Sequence, residues 1–125
     1  MSSTITFWGV RGSVASPGAG TSQVGGNTTC SEVRLGNERI LLDGGTGLLA
    51  LGAAWGSEPM RATMLFSHLH WDHIQGVPFF GPLYHPGSRF RLVGPKGLQA
   101  ALQRQMSKPS FPVGMEAMGG QLEFV

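Results

Sequence analysis

Residues 64–78 read MLFSHLHWDHIQGVP, and His68, His70, Asp72 and His73 fall within six consecutive positions of that stretch. The whole chain has 4 histidines, so three of them are spent here. The apolar run 62–67 that leads into the cluster has the continuous character of a strand buried on both faces. In an extended segment, side chains two residues apart point the same way. His68 and His70 therefore share a side and reach one metal ion. Asp72 and His73 follow where the chain turns into a short helix, and they face a second point nearby. Imidazole nitrogen and carboxylate oxygen suit zinc, with manganese or iron as alternatives. Two such ions a few ångströms apart, bridged by hydroxide, provide a nucleophile at neutral pH and a clamp for developing charge. A lone histidine is usually structural, but four specified residues at H-x-H-x-D-H spacing after a strand are hard to obtain by chance. Leu69 and Trp71 are expected to pack and hold the loop.

One strand earlier, ILLDGGTG places Asp43 between a strand and a helix. Three readings compete for it. It orients the metal loop from behind, it belongs to a phosphate loop of the sugar-kinase kind, or it is a helix-terminus residue with no further role. The phosphate reading lacks a partner motif, since GPKG is too weak and no G-x-x-x-x-G-K-[ST] is present. The orienting role is favoured because the histidine cluster lies one strand further on.

Away from this centre, 4–10 alternates like a strand. Residues 11–27 form a long Gly/Ser/Pro loop, of a length that is often functional. Such a loop near metals approaches an anionic substrate through backbone amides, or else is a plain connector, and Arg11 is expected to be a surface residue rather than a phosphate contact. A hairpin follows, with strands 29–35 and 38–43 about a Gly36-Asn37 turn. Residues 46–56 predict a helix with Thr46 as N-cap and Gly56 at its end. Strand 89–95, helix 95–106 with proline in its first turn and Leu98, Leu102 and Met106 on one face, and strand 121–125 complete the chain. The alternation predicts a mixed α/β sheet covered by helices.

At 125 residues the chain is the size of one domain, and a 41% apolar share with 13% charged residues excludes a disordered chain. The 20 glycines point to many tight turns and close backbone approaches. The net charge of +2 comes from scattered basic residues, so no nucleic-acid footprint is legible from charge. No signal peptide or membrane span is visible, and the expected location is cytoplasmic. The single cysteine, Cys30, is expected to be a small buried apolar residue rather than a reactive thiol.

Taken together, TITFWGVRGSVASPG, GGNTTC, LLDGGTG and SHLHWDHIQGVPFF resemble the metallo-β-lactamase-fold hydrolases, across residues 4–125. Within them they are most similar to the branch of tRNA 3′-end endonucleases and cyclic-nucleotide phosphodiesterases. The resemblance implies an αββα sandwich with metals at the sheet edges, of which this chain would be the N-terminal portion of a single domain. It implies two zinc ions, His68 and His70 binding the first, Asp72 and His73 the second, and Asp43 buttressing the loop. It also implies a catalytic role for Asp72 in proton handling. The implied activity is hydrolysis of small-molecule or nucleotide phosphodiesters, RNA among them, by a dinuclear metal-activated hydroxide, in a protein that dimerises when complete. Thioester, lactone and β-lactam substrates use the same ligands.

The departure from the family is large. Members are normally twice as long, and their second half supplies a further histidine, a bridging aspartate and a last histidine. His85, the one histidine outside the cluster, comes too soon after it and is expected to be a loop residue. A metal with two protein ligands where catalytic zinc takes three predicts weak binding and little or no hydrolysis by this chain alone. Half a sandwich also leaves one sheet face bare, which predicts self-association. The competing reading is a non-catalytic metal-binding or interaction fragment completed by a partner chain.

Overall fold

The computed structural model describes residues 2–125. Six strands form one sheet in the order of the chain: β1 (Ser3–Gly9), β2 (Cys30–Leu35), β3 (Glu38–Leu42), β4 (Arg61–Leu65), β5 (Arg89–Val93) and β6 (Gln121–Phe124). β1, β2 and β3 pair antiparallel, and β3 to β6 pair parallel. The change follows from the connections. β2 and β3 are joined by the two residues Gly36 and Asn37, with Gly36 at φ 60°, where a side chain would be strained. The later strands are joined by longer crossings that carry α1 (Gly47–Trp55) and α2 (Leu98–Gln105).

The core lies on one face of this sheet. Glu32, Leu41, Met64, Leu92 and Phe124 run across it in register, strand to strand. Leu48 and Leu51 of α1, Leu98 and Leu102 of α2, Met106, Val77, Phe80 and Leu83 close over it. Phe80 meets Phe90 edge to face at 6.0 Å. Among these apolar groups sits a charged cluster. Arg39 pairs with Glu32 at 3.1 Å and lies over the Trp55 ring at 4.3 Å, while Trp8 Nε1 donates to Glu32 at 3.0 Å. No described helix is long and apolar enough to cross a membrane.

The opposite face is bare, so β4 is not buried on both sides. Ala62, Met64 and Phe66 are buried, whereas Thr63 and Leu65 are half-exposed because nothing packs above them. Ile5 is 60% and Phe7 68% exposed on the same face, and Leu35 and Leu42 are exposed beside them.

Thr46 stands at the N-cap of α1 and Gly56 at its C-cap, as the sequence predicts, but the Thr46 side chain makes no capping bond. Its hydroxyl instead accepts from the Thr28 amide, and its amide donates to the Thr28 hydroxyl, both at 2.8 Å. This reciprocal pair ties the loop before β2 to the start of α1. The second helix begins at Leu98 rather than 95, because Gly97 is left-handed (φ 93°) and leaves Pro95 outside.

Candidate metal centre

β3 and β4 run parallel, so their C-terminal ends deliver Asp43 and Ser67 side by side. Asp43 leaves β3 at φ 63°, a left-handed conformation that aspartate tolerates better than most residues. Its amide is held by the Leu65 carbonyl at 2.8 Å. Its carboxylate accepts from the Ser67 amide at 2.8 Å and from the Ser67 hydroxyl at 3.0 and 2.8 Å. It also faces His73 Nδ1 at 3.1 Å.

The histidine cluster is laid against this anchor by close backbone packing. Gly44 donates to the His73 carbonyl at 2.7 Å, and Gly76 donates back to Gly44 at 2.9 Å. A Cβ on Gly76 would overlap the Gly45 carbonyl, and one on Gly45 would lie 2.5 Å from the Asp72 carbonyl. Glycine is required here because two backbone segments touch. Trp71–His73 then forms the short 3-10 turn expected at this point.

The predicted residues come together. The His68 ring lies 4.5 Å from that of His70 and 4.1 Å from that of His73, centroid to centroid. Asp72 Oδ2 is 3.4 Å from His73 Nε2. The Ser67 hydroxyl lies 3.0 Å from His68 Nδ1 and 3.4 Å from His73 Nδ1. Asp43 stands behind the cluster, in contact with His73.

Two further contacts come from the long loop. It is closed at its neck by hydrogen bonds from Arg11 to Asn27 at 3.0 Å and from Ser16 to Gly26 at 2.9 Å. Ser13, at φ 69°, donates its amide to Asp72 Oδ2 at 3.0 Å. Partial burial pushes the Asp72 carboxyl up, but the Ser13 amide, then His73, the residue's own amide and His70 more than offset it. The net result is an acid stronger than usual. Arg11 is exposed, and its guanidinium pins the loop through the Val14 carbonyl at 2.9 Å.

Leu69 packs against the core, but Trp71 does not. Its indole is 64% exposed, because the turn it opens buries Ile74 instead. His85 sits in a turn, its Nδ1 accepting from the Gly87 amide at 2.9 Å. Cys30 is fully buried, and burial, followed by the nearby Glu32 and Asp43 charges, pushes its thiol up to about 12.

The donors suit a transition metal in type, and in one pair they suit it in distance. Two ligands of one ion lie about 3.0–3.4 Å apart when each bond is near 2.1 Å and the angle between them is 90–110°. His73 Nε2 and Asp72 Oδ2 match that separation. The His73 ring thus stands between two carboxylates, with Nδ1 facing Asp43 and Nε2 facing Asp72. Among the described residues, however, no three His, Cys, Asp or Glu side chains are gathered as a ready set of ligands. Ser67 and Ser13 were not legible as participants. Ser67 adjoins the motif but has an unremarkable side chain, and Ser13 contributes only its backbone.

This sheet and its cluster define a metallo-β-lactamase fold, present in part. The solved structures it resembles include a diphosphatase of the PhnP family, with a TM-score of 0.66 and 17% identity over 99% of this chain and 51% of that one. The human tRNase Z short form, ELAC1, aligns with a TM-score of 0.59 and 23% identity over 96% of this chain and 44% of that one. The metallo-β-lactamase fold protein YhfI from Bacillus subtilis gives 0.59 and 16% over 100% and 46%. In sequence, the chain is 34% identical over 100 residues to ribonuclease Z of Methanothermobacter thermautotrophicus, a match covering 75% of this chain and 30% of that protein. The chain thus spans about half the length of the similar structures and under a third of that ribonuclease. No protein-family model matches it.

Proposed function

We propose that this chain is the N-terminal portion of a metal-dependent hydrolase that acts on phosphodiesters, with RNA among its substrates. The observation that carries the reading is the convergence of His68, His70, Asp72 and His73 on the Asp43–Ser67 anchor at the ends of two parallel strands. The likeness to ribonuclease Z and tRNase Z supports the substrate class.

In this reading His68 and His70 hold one ion, and Asp72 and His73 hold the other. Zinc is the first candidate, with manganese or iron as substitutes. When bound, the ions supply Lewis acidity and lower the pKa of water at the site. The rest is done by the chain itself. Asp43 fixes the His73 ring. The Ser13 amide holds the Asp72 carboxylate ionised and aimed, which fits it for proton handling. The closed loop of 11–27 keeps its backbone beside the site, where a phosphate would lie. The ligands still needed come from sequence beyond these residues, so the 125-residue chain alone binds metal weakly and turns over little or no substrate.

A second reading has an observation of its own. Side chains that gather without forming a ready set of three ligands, together with a bare apolar sheet face, also fit a non-catalytic fragment completed by a partner chain. The intact mass of the polypeptide in its source separates the two. A mass well above 13.3 kDa favours the hydrolase. That longer protein is then assayed on a phosphodiester with zinc or manganese, where Asp72→Ala should abolish turnover without unfolding it. Retained turnover in Asp72→Ala refutes the role given to Asp72, and efficient hydrolysis by the 125 residues alone refutes the incompleteness.

A further inference from the structure

We propose that Ser67 is a positioning residue that sets the tautomer of His68, and so decides which nitrogen of that ring is free to bind a cation. The cation's part in this rests on the hydrolase reading above; the tautomer does not.

The inference is a count of protons. An ionised carboxylate accepts hydrogen bonds and donates none, and a serine hydroxyl has one proton to give. Ser67 Oγ lies 3.0 and 2.8 Å from the two Asp43 oxygens, and the Ser67 amide donates to the same carboxylate at 2.8 Å. The hydroxyl proton is thereby committed to Asp43. Towards His68 the oxygen has only lone pairs left. His68 Nδ1, 3.0 Å away, must bring the proton to that contact. His68 is therefore protonated on Nδ1, and its Nε2 presents the lone pair.

His73 is placed differently. Its Nδ1 lies 3.1 Å from Asp43 Oδ2 and its Nε2 3.4 Å from Asp72 Oδ2, so a carboxylate faces each nitrogen and the contacts choose neither tautomer. The selection by Ser67 is therefore particular to His68. His70 has no share in this wiring. The parallel pairing of β3 with β4 is what makes it possible, since it brings a residue 24 positions away against the motif. The hydrogen bond made by the outer nitrogen of an imidazole is the usual device that fixes which nitrogen meets a metal.

The test reads ring-nitrogen protonation directly. The metal-free chain, labelled with nitrogen-15, is observed by NMR as pH is raised until the histidine signals stop changing, so that the neutral rings are read. In the wild type, His68 should carry its proton on Nδ1. In Ser67→Ala, His68 should shift towards the Nε2-protonated form while His73 stays unchanged. Ser67→Thr keeps the hydroxyl and should restore the wild-type pattern. An Nε2-protonated His68 in the wild type, or a His68 indifferent to Ser67→Ala, overturns the proposal. Should the alanine variant fail to fold, the wild-type and threonine spectra still decide. Zinc affinity, measured by competition with a chromophoric chelator, should fall about 10- to 100-fold in Ser67→Ala and recover in Ser67→Thr. A wild-type chain with the predicted tautomer that binds no zinc counts against the hydrolase reading and leaves the role of Ser67 standing.

Discussion

Asp43 is the residue on which the centre turns, and its cost can be split into a side-chain part and a backbone part. The carboxylate takes the Ser67 amide, the Ser67 hydroxyl and His73 Nδ1 at 2.8, 2.8 and 3.1 Å. Hydrogen bonds to charged groups contribute about 1.5–3 kcal/mol when sheltered; at this rim, where water replaces them, about 1 kcal/mol apiece gives about 3 kcal/mol together. The backbone stands at φ 63°, which costs an alanine about 1–2 kcal/mol and a glycine nothing. Asp43→Ala should therefore lose about 4–5 kcal/mol and Asp43→Gly about 3 kcal/mol. Asp43→Asn keeps an acceptor oxygen and the left-handed tolerance, and should lose only about 1–2 kcal/mol. The assay is urea unfolding at one protein concentration, followed by tryptophan fluorescence, with chelator present so that metal binding adds nothing. The expected order of stability is wild type, Asn, Gly, Ala. An alanine variant as stable as the glycine one, or all three within about 0.5 kcal/mol of wild type, would refute the reasoning.

Three further outcomes follow from the same structure. Asp72 has a carboxyl held below its ordinary value, so its contribution to stability is present above about pH 4 and lost as pH falls through the lower folded-state value. Asp72→Asn should flatten the acid limb of a stability-against-pH curve, and an unchanged limb contradicts the assignment. Ile5 and Phe7, exposed on the bare sheet face, should drive self-association. Replacing both with lysine should shift sedimentation towards monomer at little cost to folding, whereas a wild-type chain that is already a clean monomer refutes this. Cys30, its thiol pushed up to about 12, has only about one molecule in ten thousand ionised at pH 8, so a thiol reagent should label it at least a hundredfold slower than in urea. Rapid labelling of the folded chain would show that the site opens.

The extent of what could be read in advance follows the range of the forces involved. Strand and helix positions were legible because side-chain periodicity and turn chemistry act within a few residues. Gly36-Asn37 closes its hairpin, and Leu98, Leu102 and Met106 bury one helix face as their spacing requires. The gathering of His68, His70, Asp72 and His73 was legible for the same reason, since all four lie within one turn of chain. Thr46 takes the N-cap position as read, but its hydroxyl is claimed by Thr28, 18 residues away, and caps nothing. Trp71 was misread as packing because burial depends on what lies above a side chain, and nothing does.

By itself, then, the sequence determined the elements and the gathering of His68, His70, Asp72 and His73 beside Asp43. Only the tertiary structure decided what those donors are wired to. Ser67 meets Asp43 across 24 residues because β3 and β4 pair in parallel, and the Ser13 amide meets Asp72 across 59 because the long loop closes at its neck. These contacts are made by a hydroxyl and a backbone N–H, groups that nearly every stretch of chain carries. Their composition says nothing in advance; packing brings them within reach of a carboxylate, which can only accept the protons they bring.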